Sequence, residues 1–94
     1  MTTNESIAFG QRLRQLRTER GVSKDHLARK TGIHPTAIRR FERGDREPLL
    51  KSILRLADGL GVQPGALLDT LGERRLTPDE FEQHFGHLPT DGEG

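Results

Sequence analysis

Five glycines divide this chain into short lengths. Gly21, Gly32, Gly44, Gly61 and Gly72 each follow a stretch whose apolar residues recur at helical spacing. A glycine just past such a stretch is a helix stop signal. No stretch alternates apolar and polar residues long enough to predict a strand. The punctuation therefore predicts an all-α fold built from short helices.

The first helix is predicted from about Glu5 to Arg20, with Phe9, Leu13 and Leu16 on one face at i, i+4 and i+7. Ser23 is a good N-cap for a second helix, which carries Leu27 and Ala28 and stops before Gly32. Pro35 suits the first position of a third helix running to about Arg43, with Ala37, Ile38 and Phe41 turned inward. A fourth follows Pro48, roughly Leu49 to Leu60, with Leu50, Ile53, Leu54 and Ala57 as its apolar stripe. The fifth is short, Pro64 to about Leu71, and presents Leu67 and Leu68. After Arg74 and Arg75, the run Thr77-Pro78-Asp79-Glu80 reads as a capping box and predicts a further short helix to about Phe85. The stretch 86–94 is small, polar and acidic, a composition expected to stay disordered. The expected organisation is a compact five-helix domain over 5–72, then a short C-terminal helix and flexible acidic tail over 73–94.

Size and composition narrow the function. The 94 residues suffice for one modest core. Without cysteine, a disulfide scaffold and any cysteine-ligated zinc or iron–sulfur site are excluded. Four Phe are the only aromatic residues, so no large cofactor pocket, and no cofactor, is expected. No apolar run approaches the roughly 20 residues of a membrane span. Met1 to Ser6 is polar and lacks a signal pattern, so a soluble cytoplasmic protein is expected. The formal net charge of +1 conceals an asymmetry. Residues 1–61 hold 13 Lys+Arg against 7 Asp+Glu, and residues 62–94 hold 2 against 7. A basic body suits a polyanion, although basic residues also simply solvate helix surfaces.

The informative segment is KDHLARKTGIHPTAIRRF, Lys24 to Phe41. Two helices that meet at a sharp angle need a small residue at the close approach, and Ala28 supplies it. The tight turn between them needs a residue free to take positive φ, and Gly32 supplies that. The second helix needs a branched apolar residue on its buried face, and Ile38 fits. Leu27, Ile33 and Phe41 complete the shared core.

With these residues in order, 9–68 resembles the lambda-repressor-like (XRE-type) helix-turn-helix family. The resemblance is carried by LRQLRTERGVSK at 13–24, LARKTGI at 27–33, AIRRFERG at 37–44, Pro48, and LADGLGV at 56–62. It implies a compact five-helix domain, dimeric binding to operator DNA, and transcriptional control of the repressor type. It also implies that the third helix enters the major groove, where each base pair shows a distinct donor and acceptor pattern. The outward set on that helix is His34, Pro35, Thr36, Arg39 and Arg40, of which Thr36, Arg39 and Arg40 are the expected base readers. Arg40 stands at the family's base-reading position one turn in, and arginine suits bidentate contact with guanine.

Ser23, Lys24, His34, Arg43 and Arg46 are the expected backbone contacts. Lys24 stands where many relatives have Gln, so it neutralises a phosphate as a point charge without the amide's two-way hydrogen bonding. Asp45 replaces a frequently basic residue and opposes phosphate. The resemblance further implies an ion pair between Arg17 and Glu42, structural in role, that fixes the recognition helix against the first.

His84 and His87, with Glu80, suggest a metal site, but Gly86 interrupts their helix and no rigid second element supplies further ligands, so none is expected. His26 and His34 are too dispersed to act as ligands. Gly59-x-Gly61 is read as a helix end, since no strand precedes it to make a dinucleotide fingerprint. No nucleophile motif or phosphate loop supports an enzyme. The rival is an antitoxin or other interaction module that also binds DNA and uses 73–94 for a protein partner. Against it, Leu76, Phe81 and Phe85 can pack on the chain's own helices or across a homodimer. The dimer surface is expected on the fifth helix or within 76–88.

Overall fold

A computed structural model describes residues 3–72. Among them the order is α1 (Asn4–Glu19), α2 (Lys24–Thr31), α3 (Pro35–Arg43), α4 (Leu50–Leu60) and α5 (Pro64–Gly72), with no strand. The helix predicted over 78–85, the acidic tail, and the His84/His87 pair lie outside the described residues.

Each helix starts and stops for a local reason. Thr3 caps α1, its hydroxyl accepting from the Ser6 N–H at 3.0 Å. Ser23 caps α2 by accepting from the His26 N–H at 3.0 Å. His34 caps α3, and Pro35 stands at its first position, where a missing N–H is harmless. Gly32 and Gly44 end α2 and α3 at φ +75° and +78°, the left-handed conformation that other residues take only under strain. At Gly44 the closure is the two-bond kind: its N–H reaches the Phe41 carbonyl at 3.1 Å, and the Asp45 N–H reaches that of Arg40 at 3.0 Å.

The core gathers one face of every helix: Phe9, Leu13 and Leu16 from α1, Leu27 and Ala28 from α2, Ile38 and Phe41 from α3, Leu56, Ala57 and Leu60 from α4, and Leu67 from α5. Phe9 and Phe41 meet edge to face, their ring centroids 6.3 Å apart. Arg12 fastens α1 to α5, its Nε donating to the Ala66 carbonyl at 2.7 Å.

One expectation for α4 needs correction. Leu50 and Leu54, read as part of its buried stripe, are 71% and 48% exposed, while Leu56 and Leu60 are buried. Positions 50, 53, 54 and 57 satisfy helical spacing, and so do 53, 56, 57 and 60; the helix is apolar over a wide arc. The packing of α2 and α5 selects the second set. Gly59 lies in the last turn of α4 and is buried. A Cβ there would come within 2.7 Å of the Thr31 methyl and 3.0 Å of Leu27 Cδ1, so α2 and α4 touch through it. The helix ends at Gly61, the predicted stop.

Candidate nucleic-acid interface

The turn between α2 and α3 is held by short hydrogen bonds. The Gly32 N–H donates to the Ala28 carbonyl at 2.8 Å. The Thr31 hydroxyl donates to the Leu27 carbonyl at 2.8 Å and accepts from the Ile33 N–H at 3.2 Å. His34 Nδ1 accepts from the Thr36 N–H at 3.0 Å. With Nδ1 accepting, the neutral ring carries its proton on Nε2, where it serves as a donor. His34 is thus a cap and an exposed donor at once.

Helix α3 buries Ile38 and Phe41, which are 0% and 2% exposed, and turns Thr36, Arg39 and Arg40 to solvent. Those three stand at i, i+3 and i+4, so they share one face. The opposite face is clamped to α1. Arg17 Nε donates to Glu42 Oε2 at 2.6 Å, and Nη2 donates to Oε1 at 3.1 Å. The third arm, Nη1, reaches the Val22 carbonyl at 2.8 Å. One guanidinium therefore joins α1, the α1–α2 connection and the last turn of α3, and both side chains are nearly buried, at 11% and 4% exposed.

A second clamp lies beside it. Gly10 on α1 sits so close to α3 that a Cβ would overlap the Phe41 carbonyl oxygen. Sequence reasoning missed Gly10, although a glycine inside a helical pattern is itself a sign of close approach. It also gave no hint of the Arg17 contact to Val22.

The other expected backbone contacts lie at the start of α2 and at or just after the end of α3. Ser23, at the start of α2, is exposed and Lys24 half-buried. Arg43 and Arg46 are exposed, but neither is idle. Arg43 Nε lies 3.4 Å from Asp45 Oδ2. Arg46 places its guanidinium 5.7 Å from the centroid of the Phe41 ring, a cation–π distance that orients the side chain without neutralising it. Among the described residues no three potential metal ligands gather, and no helix is long and apolar enough to cross a membrane.

A two-helix corner whose second helix presents a basic exposed face is the architecture of a helix-turn-helix unit. The helix-turn-helix domain family matches residues 8–71. This chain belongs to that family. It is accordingly a DNA-binding transcriptional regulator and not an enzyme. Control protein C.BamHI of Bacillus amyloliquefaciens is 41% identical over 70 residues, 73% of this chain and 86% of that protein. The SPbeta prophage-derived uncharacterized HTH-type transcriptional regulator YonR of Bacillus subtilis is 38% identical over 60 residues, 64% of this chain and 56% of its own. Among solved structures, the restriction-modification controller protein C.AhdI of Aeromonas hydrophila superposes with a TM-score of 0.68 at 40% identity, covering 69% of this chain and 98% of that one.

Proposed function

We propose that this chain is a cytoplasmic, homodimeric regulator that reads an operator through α3. The observation that carries the reading is the pairing of an exposed Thr36/Arg39/Arg40 face with a buried bidentate Arg17–Glu42 clamp behind it. A reading head must be held rigidly, and the clamp fastens the helix at the turn that bears Arg40. In this assignment Arg40 and Arg39 donate to base edges and Thr36 touches a thymine methyl or a phosphate. Ser23, Lys24, His34, Arg43 and Arg46 hold the backbone, which positions the protein without specifying sequence. One domain of this size makes a small interface, so two copies bind two half-sites about one helical turn, roughly 34 Å, apart.

Two relatives, a control protein at 41% identity and a restriction-modification controller at 40%, support a finer reading of the target. By that likeness the chain controls genes of a restriction–modification system.

Selection from a random duplex pool at about 150 mM salt, where nonspecific binding is suppressed, tests both levels. The expected result is a two-fold-symmetric motif, found again upstream of the chain's own gene beside restriction and methyltransferase genes. Recovery of no motif refutes sequence reading by α3; a motif absent from such a locus refutes only the finer target.

A further inference from the structure

Between α1, α4 and α5 lies a hollow of about 130 Å³ that opens to the surface. Its walls are apolar: Phe9 from α1, Ile53 from α4, and Leu68 and Leu71 from α5. Ile53 and Leu68 are half-buried, packed against the core on one side and facing the hollow on the other. Its edge is acidic, carrying Glu5 and Glu47, both exposed. Among the described residues neither carboxylate is in an ion pair. An enclosed cavity of about 150 Å³ with leucine, isoleucine and phenylalanine walls takes up a benzene ring. The hollow is therefore the right size and chemistry for one aromatic side chain.

The chain itself supplies that side chain. Leu71 stands one residue before the end of α5, so the backbone leaves the helix at the rim of the hollow. Two cations follow almost at once, Arg74 and Arg75, opposite in sign to Glu5 and Glu47. After them comes Leu76-Thr77-Pro78-Asp79-Glu80-Phe81. In a capping box opened by Thr77, Leu76 is the residue before the cap and Phe81 the fourth helical position, the two places that a hydrophobic staple joins. One local motif thus gathers the first two large apolar residues beyond α5 into a single knob. Phe81 lies nine residues past Gly72, a stretch that spans about 30 Å when extended, so the hollow is well within reach.

We propose that residues 74–81 strap this chain's own hollow, with Arg74 and Arg75 along the Glu5/Glu47 edge, the Phe81 ring inside, and Leu76 covering it. Exposed ion pairs add little stability; here they set the register, and the buried ring holds the strap down. Glu47 belongs to the connection that also carries Arg46, so the strap steadies a loop assigned to the DNA backbone. It also uses the Leu76/Phe81 knob at home, which withholds it from a foreign protein.

The test is nuclear magnetic resonance of the full chain and its variants, with melting temperatures recorded alongside. Through-space cross-peaks are expected from the Phe81 ring to the methyl groups of Ile53 and Leu68. Phe81→Ala should abolish them, shift those methyl resonances, and lower the melting temperature by about 4–8 °C. Phe85→Ala should leave the same methyl resonances where they are. Glu5→Arg/Glu47→Arg should release the strap and lose the cross-peaks, and adding Arg74→Glu/Arg75→Glu should restore them, a rescue that mere damage to the fold would not allow. If the rim variant loses helix content, the contrast between Phe81→Ala and Phe85→Ala decides alone. Methyl resonances of Ile53 and Leu68 that do not move in Phe81→Ala overturn the strap. So do cross-peaks that appear only between copies in a mixture of isotope-labelled and unlabelled protein, since the segment would then fill a partner copy's hollow.

Discussion

Removing Arg17 probes the clamp on α3 directly. Glu42 is 4% exposed on its side chain and receives two hydrogen bonds from one guanidinium, at 2.6 and 3.1 Å. Arg17→Ala leaves that carboxylate buried and without its partner, and it also frees the Val22 carbonyl that Nη1 reaches at 2.8 Å. Breaking a buried pair from one side costs about 3–5 kcal/mol, most of it the unpaired charge. In a domain of this size each kcal/mol lowers the melting temperature by about 4–8 °C, so the variant should melt at least 12 °C lower. Arg17→Lys should recover only part of this, because an ammonium is a point charge and cannot hold a carboxylate with two parallel donors while reaching a third acceptor. Replacing both partners by apolar residues of similar size, Arg17→Met/Glu42→Met, removes the charge as well as its partner and should recover most of the loss. Thermal melts followed by circular dichroism measure all four proteins. The reasoning fails if Arg17→Ala melts within about 2 °C of wild type. It also fails if the double variant is no more stable than Arg17→Ala, since the loss would then not come from an uncompensated charge.

Other predictions follow from the same geometry. Gly10→Ala places a methyl group against the Phe41 carbonyl and should destabilise by about 1–3 kcal/mol or prevent folding. Gly65→Ala, with nothing within 4 Å of its Cβ, should stabilise α5 by up to about 1 kcal/mol; denaturant midpoints of the two proteins should move in opposite directions. Arg40→Ala should weaken the selected site by about 1–3 kcal/mol and relax preference at a single base position, read by repeating the selection with the variant. Arg43→Ala should weaken binding to all duplexes alike and reduce the salt slope by about 1. Asp45→Asn, which releases Arg43 from its exposed ion pair, should strengthen binding to all duplexes severalfold at most, because such pairs are worth about 0–1 kcal/mol. A change in the preferred motif of Asp45→Asn would contradict a backbone role for that loop.

Among residues 3–72, the number and order of the helices and the corner between α2 and α3 were legible in the sequence. These are local properties. Caps such as Ser23, the proline at position 35 and the closing glycines act on the backbone within a few residues, and Ala28, Gly32 and Ile38 occupy positions that sequence spacing alone prescribes. The outward face of α3 was legible for the same reason: Ile38 and Phe41 can be buried together only if Thr36, Arg39 and Arg40 point away. The ion pair between Arg17 and Glu42, 25 residues apart, was legible only through family resemblance, because periodicity cannot say which distant charges meet. Tertiary structure alone decided the rotation of α4. Its apolar residues cover two overlapping stripes, and only packing against α2 and α5 buries Leu56 and Leu60 and leaves Leu50 and Leu54 in solvent. It alone also showed that Arg46 lies over Phe41 and that Gly10 marks a contact between helix backbones. Helical spacing reports which residues share a face; which face is buried depends on what packs against it.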